Sequence, residues 1–80
     1  MTQSKLLTLR QMRSGQSGLV VRIDGGAGLA SRLSALGLRP GKKVTKVSSM
    51  LMRGPVTVQI GTMRVAIGFG MAGKIVVEAD

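Results

Sequence analysis

The chain contains no cysteine, histidine, tyrosine or tryptophan, and Phe69 is its only aromatic residue. The lack of cysteine excludes disulfide bonds and thiolate metal ligands. With no histidine and only three acidic residues, general acid–base catalysis has almost no side chains to use. We therefore expect a protein that is not an enzyme, has no catalytic residues and needs no cofactor. A single phenylalanine also offers little surface on which nucleobases could stack.

Long apolar runs are missing as well. No segment approaches the roughly 20 apolar residues of a membrane-spanning helix, and residues 1–15 lack the continuous apolar core of a signal peptide. We therefore expect a soluble, cytoplasmic protein. Eighty residues suffice for one domain, and 44% hydrophobic residues suffice for it to fold, so residues 1–80 are interpreted as a single domain.

Most of the charged residues are basic: the chain has twelve lysines and arginines against three acidic residues, which gives a net charge of +9. A surface of this kind attracts an anionic partner, which could be an acidic protein, an anionic lipid surface or a nucleic acid. The scarcity of aromatic residues makes nucleic acid the second choice. The cations concentrate around one central stretch, at Arg32, Arg39, Lys42, Lys43, Lys46 and Arg53.

Short alternating segments separated by turn residues predict a mostly β protein, a small antiparallel barrel of about five strands. The predicted strands are residues 18–24, 44–49, 55–60, 63–67 and 74–78. In the first, Leu19, Val21 and Ile23 fall on one face. The third and fourth form a hairpin in which Met63 faces inward. The imperfect alternation of the second predicts either a bulge or a strand shared between two sides of the barrel.

The N-terminal residues are less regular. Leu6, Leu9 and Met12 recur every three residues, which fits either a turn of helix or an irregular lid on the barrel.

One stretch, GGAGLASRLSALGLRPG at residues 25–41, resembles a phosphate-binding glycine loop at first sight. Its spacing matches neither the P-loop nor the dinucleotide fingerprint, because Gly37 and Gly41 are separated by three residues and Ser31 stands where the last glycine is needed. We therefore interpret the stretch as structural.

The same residues predict one short helix after the first strand. Leu29, Leu33 and Leu36 share a helical face that would pack on the sheet. Gly37 then follows the C-cap with a positive φ, Leu38 packs back on Leu33, and Gly41 turns the chain into the next strand.

The segment Met50-Leu51-Met52-Arg53 joins two predicted strands. Three apolar residues beside a cation indicate either an exposed interaction site, to which methionine adapts well, or a buried extension of the strand. The sequence leaves both interpretations open.

Ferrous iron sites usually use imidazole and carboxylate ligands. The only carboxylate side chains are Asp24, Glu78 and Asp80, and the first two would be neighbours if their strands adjoin. We regard the three as weak candidates for a transition-metal ion and otherwise predict no metal site.

The run RLSALGLRPGKKV at residues 32–44 resembles the signature of the ferrous iron transport protein A (FeoA) family. The resemblance continues through the turn Gly54-Pro55, the strand PVTVQI and the closing run RVAIGFGMAGKIVV. It covers roughly residues 15–77, and the ordered set of motifs is more specific than any one of them.

The resemblance implies an SH3-like barrel in a cytosolic regulatory adapter, which binds and modulates the GTPase part of a membrane ferrous iron transporter. It also implies a fold shared with the C-terminal domain of iron-dependent metalloregulators. We expect the partner to be bound by Arg32, Arg39, Lys42, Met50, Leu51, Met52 and Arg53. A nucleic-acid-binding barrel is the alternative, and weak self-association stays open.

Overall fold

The structure, a computed structural model, describes residues 5–49 and 54–79. Six strands and two helices follow one another along this part of the chain. In chain order they are β1 (Lys5–Thr8), β2 (Ser17–Ile23), α1 (Gly26–Ala35), β3 (Lys43–Ser49), β4 (Val56–Ile60), β5 (Met63–Ile67), α2 (Phe69–Ala72) and β6 (Ile75–Ala79). The strands form one antiparallel sheet in the order β1-β6-β2-β3-β4-β5, which confirms the mostly β class.

The hairpin of β4 and β5 has the predicted turn, and its bounds differ from the prediction only in that β4 begins at Val56 instead of Pro55. Ile60 pairs with Met63 across two residues, and Gly61 takes a φ of 62° there. The bulge predicted in β3 is also confirmed, because its pairing with β4 shifts between Lys46 and Ser48. An extra residue in one strand bends it, which helps a small sheet to curve.

The N-terminal segment corrects our prediction of a helical turn or lid. β1 is a strand that pairs with β6, with Leu7 opposite Val77. The spacing by three was misleading because Leu9 and Met12 are buried after the strand has ended, whereas Leu6 lies exposed on the strand itself. The sheet therefore has six strands rather than five, α1 follows the second strand, and α2 precedes the last.

One hydrophobic cluster forms the core, and all six strands contribute to it, as they do when a small sheet curls around its own interior. From β1 the contribution is the partly buried Leu7. The buried members are Leu9, Met12, Val20, Leu33, Leu38, Val44, Val56, Val58, Ile67, Ala72, Ile75 and Val77.

β2 does not keep the simple alternation that its sequence indicates. Val20 is 1% exposed and faces the core, whereas Leu19 and Val21 are exposed. The pairing of β2 with β6 shifts between Val20 and Arg22, so that Ile23 packs against the core as well. A bulge inserts an unpaired residue and thereby reverses the faces beyond it.

Two residues expected to face the core do not. Met63 is 53% exposed at the beginning of β5, the last strand in the sheet order. Leu36 is 38% exposed because it is the C-cap of α1, where the chain leaves the helix. Leu33 is the fully buried leucine of the helix, and Leu29 packs against the cluster as a partly buried residue.

Candidate partner-binding surface

α1 ends as its sequence predicted, in a Schellman motif. Gly37 has a φ of 94°, and its N–H donates to the carbonyl of Ser34 at 2.9 Å. The N–H of Leu38 reaches back to the carbonyl of Leu33, also at 2.9 Å, and the Leu38 side chain is fully buried. The end of the helix is therefore anchored, and so is the chain that leaves it.

The residues that follow form a turn fastened to β2. The N–H of Gly41 donates to the carbonyl of Val20 at 2.8 Å, and the N–H of Val20 donates to that of Lys42 at 2.9 Å. A third bond runs from the N–H of Lys42 to the carbonyl of Arg39 at 3.1 Å. We call residues 39–43 the basic turn, because it brings together three exposed cations, Arg39, Lys42 and Lys43.

Arg32 lies apart from the basic turn along the chain, in the last turn of α1. Its side chain is exposed, and its cation lies near the negative end of the helix dipole, where positive charge is favourable. The structure thus leaves Arg32, Arg39 and Lys42 available to solvent on successive segments. The predicted residues Met50, Leu51, Met52 and Arg53 lie outside the described residues.

Lys46 does not belong to this exposed set, although the sequence grouped it with these cations. It is 4% exposed, and its Nζ donates to the carbonyls of Arg10 at 3.1 Å and Met12 at 2.6 Å. Burial lowers the pKa of the Lys46 ammonium below its usual value. Lys46 is therefore a structural residue that holds the segment between β1 and β2.

The sheet separates two of the three acidic candidates for a metal site. β2 and β6 adjoin but run antiparallel: the N–H of Asp24 bonds to the carbonyl of Lys74, whereas Glu78 lies opposite Leu19. Four residues along the chain, from Lys74 to Glu78, or about 13 Å of strand, separate the two ends. Asp80 lies outside the described residues. Within residues 5–49 and 54–79, no three His, Cys, Asp or Glu side chains could together hold a metal ion.

Asp24 has a cation beside it. The Nε of Arg22 lies 2.9 Å from Oδ1 of Asp24, and both side chains are more than half exposed. A solvent-exposed ion pair of this kind adds little stability, but it places a positive charge next to the Asp24 carboxylate.

A row of side chains on the outer side of the sheet was missed by the sequence analysis. Leu6 and Leu19 both lie opposite Glu78, and Lys43 lies opposite Leu19, so the row crosses four strands. Directly opposite residues in antiparallel strands project from the same face. The available signal was the apolar run Leu19-Val20-Val21, which has apolar residues on both faces of one strand.

The single aromatic ring is already covered on one face. The guanidinium of Arg10 lies 4.3 Å from the centre of the Phe69 ring, in a cation–π contact. That face of Phe69 is therefore unavailable for stacking with a nucleobase, which weakens the nucleic-acid interpretation further.

Neither described helix, with ten and four residues, has the length and apolar character needed to cross a bilayer.

Known proteins share both sequence and architecture with this chain. It is 35% identical over 66 residues to the Fe(2+) transport protein A of Methanocaldococcus jannaschii, covering 82% of this chain and 78% of that one. A crystal structure of an iron uptake regulatory protein, FeoA, matches with 36% identity and a TM-score of 0.85, over 95% of this chain and 99% of that one.

A zinc-complexed FeoA from Stenotrophomonas maltophilia, described as an SH3 domain protein, matches with 29% identity and a TM-score of 0.73 over 89% of this chain and 88% of that chain. A manganese-dependent transcriptional repressor shares the fold at 21% identity and a TM-score of 0.84, over 99% of this chain and 44% of that one.

Sheet order, core and structural relatives together define a small SH3-like protein. The FeoA domain matches residues 7–79, and the chain belongs to the FeoA family. It is accordingly a small, non-enzymatic accessory protein of ferrous iron transport.

Proposed function

We propose that this protein is a cytoplasmic adapter that binds the cytosolic GTPase part of a membrane ferrous iron transporter and modulates it. Membership of the FeoA family supports the link to ferrous iron transport. The observation that carries the proposal is the basic turn, where Arg39, Lys42 and Lys43 are exposed in a chain of net charge +9. A positively charged surface suits an acidic patch on the partner.

The basic turn is suited to recognition because its backbone is already ordered. Hydrogen bonds join Gly41 and Lys42 to Val20, and the Schellman motif holds Leu38 in the core. Binding therefore orders only the long side chains and not the loop that carries them, which reduces the entropic cost of association. Exposed cations at the rim of an interface act chiefly on the association rate, by steering the partner.

Modulation requires that the adapter bind one conformation of the transporter more tightly than another. A tenfold difference in affinity between two states shifts their equilibrium by about 1.4 kcal/mol. We propose that Arg32, the basic turn and residues 50–53 together form the surface that makes this distinction.

The test is a binding measurement between the full chain and the purified cytosolic part of the transporter, with and without guanine nucleotide. Arg39→Glu should weaken binding roughly three- to tenfold, and the loss should shrink as salt rises. Arg64→Glu is the matched control, since it changes net charge equally on β5, and should leave affinity within about twofold. Leu51→Glu tests residues 50–53 in the same assay.

Absence of binding by the wild-type chain, under both nucleotide conditions, would refute the adapter function. Equal losses for Arg39→Glu and Arg64→Glu would show a nonspecific charge effect and would remove the basic turn from the interface.

A further inference from the structure

We infer that the exposed outer side of β1 and β2 is a docking surface for a protein partner with an apolar centre and an acidic rim. We call Leu6, Leu19 and Val21 the outer apolar face. The inference rests on the proposed function, since it takes the cytosolic part of the transporter as that partner and adds a second contact to the basic turn.

The three aliphatic side chains of the outer apolar face are exposed to solvent. Leu6 is 60% exposed, Leu19 47% and Val21 38%. Leu6 and Leu19 flank Glu78 in one row, and Val76 of the adjacent row lies opposite Thr8 and Arg22. Neighbouring strands are about 4.8 Å apart, so Leu6 and Leu19 are separated by about 10 Å across the sheet. Exposed apolar groups gathered like this mark interaction sites more often than single ones do.

The basic turn continues this face on one side. Lys43 extends the row beyond Leu19, and the backbone of Lys42 is bonded to Val20, the residue between Leu19 and Val21. A partner seated on the outer apolar face therefore meets these cations at its edge. Charge complementarity requires acidic groups on that edge of the partner.

Charge also argues against a second copy of this chain as the occupant. A second copy of this chain would bring together two molecules of net charge +9, which repel each other.

The test compares the double variant Leu6→Ser/Leu19→Ser with Met63→Ser in the full-length chain. Met63 is a matched control because it is 53% exposed and lies on β5, at the far end of the sheet order. All three side chains are largely exposed, so thermal unfolding of the variants should match that of the wild type. The double variant should bind the transporter's cytosolic part roughly tenfold or more weakly, because two leucine contacts are lost. Met63→Ser should bind within about twofold of the wild type.

Each alternative outcome is distinct. If the wild type binds and the double variant binds equally well, the outer apolar face is not an interface, while the proposed function stands. If the wild type does not bind, both proposals fail. The same proteins are also examined for self-association by light scattering and for sedimentation with phosphatidylglycerol vesicles. If the double substitution abolishes either of these and leaves binding to the transporter intact, the assigned partner is wrong.

Discussion

Lys46 donates a hydrogen bond from its ammonium group to the carbonyl oxygen of Met12, at 2.6 Å. The two residues are 34 positions apart in the chain. Backbone bonds reinforce the contact, since the N–H of Gly15 donates to the carbonyl of Lys46 and the N–H of Lys46 donates to that of Gln16. Lys46, which the sequence groups with surface cations, therefore joins β3 to the segment before β2 through these hydrogen bonds.

Lys46→Met keeps an unbranched side chain of nearly the same length and removes the hydrogen-bond donors of the ammonium group. The carbonyls of Arg10 and Met12 then lose their partner, and we expect a loss of about 1–3 kcal/mol in the free energy of unfolding. Urea denaturation measures this. Lys43→Met is the control, because Lys43 is exposed and its replacement should change stability by no more than about 0.5 kcal/mol. Equal effects of the two changes would contradict the structural role of Lys46.

The same lysine predicts a dependence of stability on pH. Burial lowers the pKa of Lys46 in the folded protein below the value of 10.5 that it has in the unfolded chain. Between those two values the unfolded chain binds more protons, so stability increases as pH rises through this window. The neutral amine still has two hydrogens for its two carbonyl acceptors.

Subtracting the pH profile of Lys46→Met isolates this contribution, because the other lysines are common to both proteins. The wild type should gain stability relative to the variant as pH approaches 10.5 from below. A difference that falls with rising pH would mean that the charged form is the one that the fold favours.

Two glycines of the central stretch should respond to alanine in opposite directions. Gly37 has a φ of 94°, where an L side chain is strained, and Gly37→Ala should cost about 1–2 kcal/mol. Gly28 lies within α1, and an added Cβ there meets nothing within 4 Å. Gly28→Ala should therefore add about 0.4–1 kcal/mol to the free energy of unfolding. Thermal or urea unfolding of both variants checks the pair, and a destabilised Gly28→Ala protein would contradict the helix.

Arg10 and Gly73 should be energetically coupled. A Cβ at Gly73 would overlap the guanidinium of Arg10, so Gly73→Ala should displace that group from the ring of Phe69. Arg10→Met alone should cost about 0.5–1 kcal/mol through loss of the cation–π contact. In a double-mutant cycle, Arg10→Met should cost little once Gly73→Ala is present. Strict additivity would show that Arg10 tolerates the new methyl group without leaving the ring.

The parts of the fold that local sequence predicts are those held by short-range contacts. The end of α1 depends on Gly37 and on a bond between residues 33 and 38, and the β4–β5 hairpin depends on a two-residue turn. Family membership was likewise predictable from ordered motifs in the chain. Arg39 and Lys42 are exposed because they lie on the basic turn, which follows the end of α1.

Other features depend on which strands pair and in what register. The bulge at Val20 arises against β6, more than fifty residues away, and it decides that Leu19 and Val21 face solvent. The separation of Asp24 from Glu78 likewise follows from the antiparallel direction of β2 and β6.

By itself, the sequence determined the excess of positive charge, the lack of histidine and cysteine, the helix with its glycine ending, and the hairpin. Each depends on residue type or on bonds between near neighbours. The tertiary structure alone decided that Lys46 is buried, that residues 5–8 form a strand, and that Leu6 and Leu19 flank one carboxylate. Those features depend on which distant segments pack in the core and form backbone hydrogen bonds with one another, and no local sequence pattern specifies these long-range contacts.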